Sequence, residues 1–321
     1  MKAETIHIAF CVNDGYVPFT TVTIKSIAEN NRGNDVVVHL FSDRISASSR
    51  QRLAEAVSGY ERLSLEVHLV DDLELKGLNA GKWTVYAWYR ILLPEILPAE
   101  VKKVLYLDAD TLVVTDLREL FDLDLTGCSV AGALDTLTFY DETFERCGYE
   151  RALKYICSGV LLINLDYWRE KQITRQLIAW EKENHDRIAF ADQDAINYVC
   201  RETKIVLPLR YNVFKVYLTS NLYTSAELSE EVKACACRPA IIHYANYYPW
   251  IKACATHPMQ GEWEKYNRML RHPVRSHYVP RRWRFQKIVL YRIWDLLRAF
   301  GKRPERMKPE DIKRRFSETG S

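Results

Sequence analysis

Short apolar runs alternate with helical patterns along the first part of the chain. Such runs have the length of buried strands, and the segments between them repeat apolar residues at three- and four-residue spacing. The predicted strands are Ile6–Val12, Val36–Phe41, Leu65–Val70 and Val104–Leu107, and the predicted helices are Thr20–Glu29, Ser48–Val57 and Tyr86–Leu93. Strands that alternate with helices predict right-handed crossovers and a largely parallel sheet.

The alternation continues beyond Asp110 with shorter elements. The predicted strands there are Ser129–Leu134, Val160–Asn164, Ile205–Leu207 and Ala240–His243, and the predicted helices are Leu165–Glu183 and Gln193–Cys200. The fold class is therefore predicted to be α/β, with a mixed, mainly parallel central sheet.

Polar residues follow three of the predicted strands. Asn13-Asp14-Gly15, Asp43 and Asp108-Ala109-Asp110 each come directly after an apolar run. Open α/β sheets bind ligands beyond the carboxyl ends of their strands. These residues are therefore expected along one rim of the sheet.

The last part of the chain differs in both pattern and charge. From Arg281 to Phe300, apolar residues are interleaved with basic ones, which predicts a basic amphipathic helix. Residues 271–321 contain 15 Lys or Arg and 5 Asp or Glu, whereas residues 1–270 contain 30 and 37. We therefore divide the chain into an acidic body, residues 1–270, and a basic tail, residues 271–321. The tail predicts contact with an anionic membrane surface; the alternative is a helix docked on the body. No nucleic-acid-binding pattern accompanies this charge.

Composition and the distribution of apolar residues and cysteines indicate where in the cell the protein is located. Hydrophobic residues make up 48% of the chain, enough for a large buried core. No apolar run reaches the roughly 18 residues of a spanning helix, and no basic-apolar-small pattern precedes Ile6, so no secretory signal is expected. The 8 cysteines are scattered, as is usual in a reducing cytosol. The predicted location is cytoplasmic, with peripheral contact at the inner face of the plasma membrane through the tail.

The segment Lys103-Val-Leu-Tyr-Leu-Asp108-Ala-Asp110 is the sharpest chemical signal. An apolar strand delivers two carboxylates at its carboxyl end. Residues i and i+2 of a strand share a face, so both carboxylates are expected to converge on one cation. Mg²⁺ or Mn²⁺ bound with a diphosphate uses few protein carboxylates, because phosphate and water complete its shell.

Two other interpretations of the motif stay open on these residues alone. Acidic residues often end a strand and begin a turn without any ligand. Asp108-Ala-Asp110-Thr111 also fits the Asp-x-Asp-x-Thr motif of haloacid-dehalogenase-type phosphatases, in which the first aspartate attacks phosphate. In those enzymes the motif closes the first strand, whereas here three strand–helix units precede it.

Further segments agree with one known family. They are Ile8-Ala-Phe-Cys-Val-Asn-Asp-Gly-Tyr16, Trp88-Tyr-Arg90-Ile-Leu-Leu-Pro-Glu-Ile-Leu-Pro98, Val104-Leu-Tyr-Leu-Asp-Ala-Asp110, Ser158-Gly-Val-Leu-Leu-Ile-Asn-Leu165, Asp192-Gln-Asp194 and Ile241-Ile-His243-Tyr. In order and spacing the chain resembles glycosyltransferase family 8, the retaining transferases that include bacterial lipopolysaccharide galactosyl- and glucosyltransferases and glycogenin. The resemblance implies a GT-A-like nucleotide-sugar-binding fold, with residues 1–270 as its catalytic domain.

The resemblance implies a nucleotide and metal site built by residues of three of these segments. Cys11 and Val12 would line the base through backbone groups, Asn13 would occupy the position of a base-contacting acid, and Tyr16 would stack on the base. The metal ligands would be Asp108, Asp110 and His243, with Ala109 beside the nucleotide. The implied cofactor is Mn²⁺ or Mg²⁺, and the implied donor is a UDP-sugar.

The resemblance also implies residues around the reacting sugar. Arg90 would reach the donor sugar or its phosphate, and Asp192 would bind sugar hydroxyls. Gln193 would lie near the anomeric carbon, and Asp135 at the boundary between donor and acceptor. An amide is a poor nucleophile, which favours a front-face mechanism of retention over covalent catalysis by Asp192 or Asp135.

The implied function is retaining transfer of glucose or galactose to a saccharide of lipopolysaccharide or another surface glycan. Two departures from the family pattern count against this implied function. Cys157 replaces an amide that usually faces the donor sugar, and no lysine stands in the usual place after His243. They leave a catalytically inactive glycan- or nucleotide-binding relative as an alternative, beside the phosphatase.

Overall fold

The computed structural model describes residues 3–81, 83–219, 226–252 and 255–276. The basic amphipathic helix expected over 281–300 lies outside these residues, so the tail and its membrane contact stay predictions. The division at residue 270 also stays a prediction. Residues up to Val274 pack on the body, since Val274 and Asn267 exchange hydrogen bonds of 2.7 and 2.9 Å.

The described residues contain ten strands in two sheets. The strands are β1 Ile6–Cys11, β2 Val36–Ser42, β3 Leu63–Leu69, β4 Lys103–Leu107, β5 Thr111–Val113, β6 Val130–Leu134, β7 Ile156–Asn164, β8 Lys204–Leu207, β9 Val213–Phe214 and β10 Ile241–His243. The large sheet has the order β3-β2-β1-β4-β7-β6-β8, and the small one β5-β10-β9. In the large sheet only β7 runs against the others. The predicted mixed, mainly parallel sheet is confirmed.

Eleven α-helices surround the sheets within the described part of the chain. They are α1 Val17–Asn30, α2 Ala47–Val57, α3 Leu93–Ile96, α4 Arg118–Phe121, α5 Asp141–Cys147, α6 Leu165–Lys171, α7 Ile173–Asn184, α8 Ala191–Val199, α9 Lys215–Thr219, α10 Ala226–Cys237 and α11 Gln260–Arg268. Within the described ranges, no helix combines the length and apolar character needed to cross a bilayer.

Two helix predictions were wrong in detail. The single helix expected over Leu165–Glu183 is divided into α6 and α7 by Gln172, whose φ is 52°. Buried Trp168 and Ile173 are five residues apart, so one continuous helix would turn them to different sides. The helix expected over Tyr86–Leu93 is a pair of 3₁₀ turns followed by the short α3, because its residues are buried on several sides rather than along one stripe.

The pleat of β1 divides the core between the two faces of the large sheet. Ile6, Ile8 and Phe10 point into one apolar cluster, whereas Ala9 and Cys11 belong to the other. On the first side, α1 ties the large sheet to the small one through polar contacts. Thr23 Oγ1 donates to the Thr111 carbonyl at 2.7 Å, and Ser26 Oγ accepts from Val113 N at 3.0 Å. These bonds hold β5, and with it the turn that carries Asp108 and Asp110.

Strand order reverses between β1 and β4. The chain runs outward from β1 to β3 and then returns to place β4 on the other side of β1. A crevice forms beyond the carboxyl ends of strands at such a reversal, and ligands of open α/β sheets bind there. Residues 11–16 after β1 and residues 108–110 after β4 lie at this switch point.

Candidate functional site

Asp108 and Asp110 are brought together by a turn. Strand β4 ends at Leu107, and Thr111 closes the turn through two bonds to the Asp108 carbonyl, from its N at 3.1 Å and its Oγ1 at 2.8 Å. The expectation that both carboxylates share a strand face was therefore wrong, since neither residue belongs to a strand. The expected convergence holds for a different reason, because the turn folds both side chains toward one point.

That point also receives the imidazole of His243. Single ligand atoms of Asp108, Asp110 and His243 all lie within 4.8 Å of one another. His243 Nε2 is 3.2 Å from Asp110 Oδ1 and 3.9 Å from Asp108 Oδ2. His243 ends β10, which pairs with β5 in a register that sets His243 opposite Thr111. The small sheet thus carries His243, the third potential ligand, to the end of the large sheet.

The two carboxylate oxygens of Asp108 have different surroundings: one accepts hydrogen bonds from neighbouring side chains, and the other faces His243. Its Oδ1 accepts from Tyr106 Oη at 2.7 Å and from Arg90 Nη2 at 3.2 Å. Its Oδ2 faces His243. These two donors fix the carboxylate, so Oδ2 is already ordered as a potential metal ligand.

Gly159 leaves the space in which the ligands meet. Its carbonyl accepts from Asp108 N at 2.8 Å, which places its Cα directly under the cluster. A Cβ atom at this position would lie 2.4 Å from His243 Cε1 and 2.6 Å from Asp108 Oδ2. Every residue other than glycine would displace the side chain of His243 or Asp108. Gly159 lies in the family segment Ser158–Leu165, but no pattern in the sequence predicts this role for it.

Asn212 orients His243 and was missed by sequence reasoning. His243 Nδ1 lies 2.9 Å from Asn212 Oδ1, so Nδ1 carries a proton and Nε2 is directed at the carboxylates. Phe214 packs on the imidazole with its ring centroid 5.0 Å away. Asn212 precedes β9, the neighbour of β10, so the contact depends on strand pairing and has no local sequence signal.

The charge on His243 depends on what occupies the cluster. Burial by itself would lower the pKa of His243, but the Asp110 carboxylate and the neighbouring Cys157 thiol raise it well above its ordinary value. Without a metal the imidazole of His243 is therefore protonated, with the proton on Nε2 directed at Asp110 Oδ1. Burial raises the pKa of Cys157, so this thiol is neutral. Cys157 thus packs against the ligand set as a small, uncharged group.

Arg90 links the cluster to Asp192. Its Nη2 binds Asp108, its Nη1 donates to the Ser158 carbonyl, and its Nε donates to the Ala87 carbonyl at 2.9 Å. Arg90 Nε also lies 3.2 Å from Asp192 Oδ2, but its N–H points to Ala87. Asp192 Oδ2 therefore has no hydrogen-bond donor among the described residues. Burial raises the pKa of Asp192 to about 6, against the opposing effect of the Arg90 charge.

Gln193 and Asp135 form a hydrogen-bonded pair beside this group. Gln193 Oε1 accepts from Ser158 N at 2.9 Å, and its Nε2 donates to Asp135 Oδ2 at 3.2 Å. The other oxygen of Asp135 accepts from Leu137 N at 2.9 Å. Burial raises the pKa of Asp135, while the contacts with Leu137 and Gln193 oppose the shift. The structure thus brings Arg90, Asp192, Gln193 and Asp135 around the same segment, Ser158 and its neighbours.

The residues expected around the base lie at the end of β1. Cys11 and Val12 are buried, and Val12 N donates to the Phe41 carbonyl at 3.0 Å. Asn13 Oδ1 accepts from Tyr16 N at 3.1 Å, so this side chain caps the turn that presents Tyr16. Tyr16 is 41% exposed and meets Trp250 edge-on, with ring centroids 6.5 Å apart. Phe19 is a second edge-to-face neighbour, with ring centroids 5.6 Å apart, and the exposed part of the Tyr16 ring suits stacking.

Two further positions complete the placement of the site. Ala109, between the two aspartates, is buried, and its carbonyl lies 3.5 Å from Thr23 Oγ1. Lys215 was not singled out in the sequence. It is buried, donates to Thr256 Oγ1 at 2.8 Å and lies 4.3 Å from the ring centre of Tyr247, in the segment where the sequence lacks the family's lysine.

Known proteins are similar to this chain in sequence and in fold. General stress protein A of Bacillus subtilis (strain 168) is 26% identical over 276 residues, which are 83% of this chain and 94% of that protein. The lipopolysaccharide 1,2-glucosyltransferase of Escherichia coli is 27% identical over 215 residues, which are 66% of this chain and 63% of that protein. A crystal structure of the galactosyltransferase LgtC with donor and acceptor sugar analogs matches with a TM-score of 0.74 at 24% identity, and covers 87% of this chain and 99% of that chain.

The structural match confirms the GT-A-like fold that the sequence resemblance implies. The sequence model of glycosyl transferase family 8 matches residues 7–254, a range that includes every residue placed in the site above. By this match the chain belongs to glycosyl transferase family 8, and its class of activity is that of a glycosyltransferase.

Proposed function

We propose that this protein transfers glucose or galactose, with retention of configuration, from a UDP-sugar to a saccharide of lipopolysaccharide or another surface glycan. The observation that carries the proposal is the cluster of Asp108, Asp110 and His243 at the sheet's switch point, in a chain of family 8. A hard cation at this point would lie where α/β sheets bind the phosphates of nucleotides.

The ligand set suits Mn²⁺ or Mg²⁺. Two carboxylate oxygens and one imidazole nitrogen leave several positions of an octahedral ion open for phosphate oxygens and water. Asp108 Oδ2, Asp110 Oδ1 and His243 Nε2 would hold the ion. When bound, it would supply positive charge against the diphosphate that leaves the donor.

The residues at the end of β1 support nucleotide binding. Tyr16 offers a partly exposed ring beside the cluster. Its partial burial raises the pKa of its phenol, and the carboxylates of Asp110 and Asp108 raise it further. We propose that Tyr16 stacks on the uracil base, that the backbone of Cys11 and Val12 lines it, and that Asn13 holds the turn in place. Ala109 is small enough to leave room beside the nucleotide.

Asp192 is proposed to bind a hydroxyl of the donor sugar. One of its carboxylate oxygens is buried and lacks a donor among the described residues, which is unfavourable until a hydroxyl supplies one. Arg90 donates to Asp108 and lies 3.2 Å from Asp192 Oδ2 without donating to it, so the charge of one guanidinium acts on both the sugar site and the metal site.

The contacts of Gln193 support a front-face mechanism of retention. Both ends of its amide are hydrogen-bonded, and an amide has no readily ionised form, so Gln193 is suited to positioning rather than attack. Asp135 is engaged with Gln193 and the Leu137 N–H. We propose that the leaving phosphate accepts the proton of the incoming acceptor hydroxyl, while Gln193 and Asp135 line the face on which both groups meet.

The place of action is proposed from the basic sequence after Arg271. We propose a cytoplasmic protein with peripheral contact at the inner face of the plasma membrane, where a lipid-linked glycan acceptor would be presented. No nucleic acid is proposed as a partner.

A donor screen with Mn²⁺ tests the function. We expect slow hydrolysis of UDP-glucose or UDP-galactose, little hydrolysis of UDP-N-acetylglucosamine or GDP-sugars, and loss of at least about 10²-fold in Asp110→Asn. Asp122→Asn is the matched control, because Asp122 is an exposed aspartate that pairs with Arg118.

Other outcomes identify the alternatives. Metal-dependent UDP binding without turnover would indicate an inactive relative. Hydrolysis of phosphomonoesters that Asp108→Asn abolishes would indicate the phosphatase. Absence of both UDP-sugar hydrolysis and any UDP-induced rise in melting temperature would refute the proposed donor.

A further inference from the structure

A second group of potential metal ligands lies on strands β2 and β3, apart from the Asp108 cluster. His39 pairs with Glu66 across the two parallel strands, and His68 follows Glu66 by two residues. Residues two apart in a strand share a face, so all three side chains project on the same side of the sheet. The strand register alone therefore brings two imidazoles and a carboxylate together.

The three ligand atoms have the spacing of a tetrahedral site. His39 Nδ1 lies 3.0 Å from His68 Nε2 and 3.3 Å from Glu66 Oε2, and His68 Nε2 lies 3.6 Å from Glu66 Oε2. Ligands bound to Zn²⁺ at about 2.0–2.1 Å in a tetrahedron are about 3.3 Å apart. The triangle formed by these atoms is therefore one face of such a tetrahedron.

Hydrogen bonding satisfies the imidazoles but can leave the carboxylate without a donor. A neutral imidazole has one N–H and one lone pair. When His39 Nε2 donates to His7 Nδ1 at 3.0 Å, His39 Nδ1 accepts from His68 Nε2 at 3.0 Å, and the Glu66 carboxylate lies 3.3 Å from that acceptor nitrogen. Two acceptors at 3.3 Å repel each other, whereas a cation between them would bind both. His7 then takes the place of the outer partner that usually orients a metal-bound histidine.

The site is reachable from solvent, since the Glu66 side chain is 54% exposed and that of His68 is 19% exposed. Water can therefore complete the coordination on the outer side.

We propose that His39, Glu66 and His68 form a Zn²⁺ site with an open fourth position, oriented by His7 and separate from the catalytic cluster. Two nitrogens and one oxygen in this geometry suit Zn²⁺ better than Mg²⁺ or Ca²⁺, which prefer oxygen ligands. Because its ligands come from two strands, the ion would tie β2 to β3. The proposal does not depend on the identity of the donor sugar.

Co²⁺ is the probe, because tetrahedral Co²⁺ absorbs visible light far more strongly than octahedral Co²⁺. The experiment uses chelator-treated full-length protein that carries Asp110→Asn. This substitution is expected to remove Co²⁺ binding at the cluster of Asp108, Asp110 and His243. We expect one equivalent of Co²⁺ to bind with the strong tetrahedral band, and Zn²⁺ to displace it. Glu66→Gln and His68→Gln on this background should abolish the band; both side chains are partly exposed, so the fold should survive, which circular dichroism checks.

Matched controls and an outer-partner variant complete the test. Glu61→Gln and His272→Gln, at exposed positions outside the triad, should leave the band and the affinity unchanged. His7→Gln should weaken binding about 10–100-fold while keeping the band. Binding and spectrum that persist in Glu66→Gln and His68→Gln would overturn the proposal. So would a parent protein that gives no tetrahedral band, which would leave the imidazoles as hydrogen-bonded packing only.

Discussion

Gly159 and His243 are so close that a Cβ atom on residue 159 would lie 2.4 Å from the imidazole Cε1. The same atom would lie 2.6 Å from Asp108 Oδ2. Two potential ligands of the cluster, His243 and Asp108, therefore meet over a residue that has no side chain. Since Gly159 belongs to the nine-residue strand β7, buried between β4 and β6, the backbone cannot withdraw to make room.

Gly159→Ala is expected to lower metal-dependent turnover by about 10²-fold, because displacement of a reacting group by about 1 Å has that effect. Donor hydrolysis at saturating Mn²⁺ measures it. Gly261→Ala is the matched control, since the residue is helical and the added carbon would have no neighbour within 4 Å apart from adjacent residues and the backbone of its own helix. Turnover within about twofold of the parent in Gly159→Ala would contradict the role assigned to this glycine.

Asn212→Leu is expected to weaken Mn²⁺ affinity about 10–100-fold, because the partner that orients the ligand histidine is lost. Asn212→Asp keeps an acceptor for His243 Nδ1 and should retain most of the affinity. Titration with Mn²⁺, followed by the electron paramagnetic resonance signal of the free ion, measures the affinity of both variants. A merely structural asparagine would lower stability in both variants and leave the affinity of the folded protein unchanged, contrary to this expectation.

Metal affinity is expected to rise with pH. The pKa of His243 is raised well above its ordinary value in the metal-free protein, so at about pH 7 an arriving ion must displace a proton. About one proton should be released for each Mn²⁺ bound. Calorimetry in buffers of different ionisation enthalpy measures this number. Zero protons released, with an affinity that does not change with pH, would show that His243 is neutral before the ion binds.

Acid is expected to destabilise the fold through His39. Its pKa is about 3 when folded and about 6.5 when unfolded, so folding favours the neutral form. This contribution is complete above the unfolded pKa and is lost as pH falls toward the folded pKa, by about 1.4 kcal/mol per pH unit. From about pH 6.5 to about pH 5 the free energy of unfolding should fall by about 2 kcal/mol through this group.

Denaturant unfolding in the presence of chelator measures that loss. His39→Gln cannot titrate, so its stability should be lower at neutral pH but should fall less between these pH values, by about the same 2 kcal/mol. A His39→Gln variant with the parent's pH dependence would show that other groups account for the acid sensitivity.

Local patterns along the chain determined the sheet and one half of the site. Alternating periods predicted the strands β1 to β4 within a few residues. For β1, β2 and β4 the signal is a continuous apolar run, because these parallel strands are buried on both faces. The acidic pair was found for the same reason, since Asp108 interrupts such a run. Local patterns did not predict the break at Gln172. The apolar spacing predicts one continuous helix there, whereas the structure has the two helices α6 and α7.

The other half of the site was decided by tertiary structure. His243 could be assigned as a ligand only through resemblance to a family, and Asn212 and Gly159 acquired roles only once β9, β10 and β7 were placed beside the aspartates. Likewise, no local pattern joins His39 to Glu66 and His68. Such contacts depend on strand register, and register is set by the packing of whole sheets rather than by neighbouring residues.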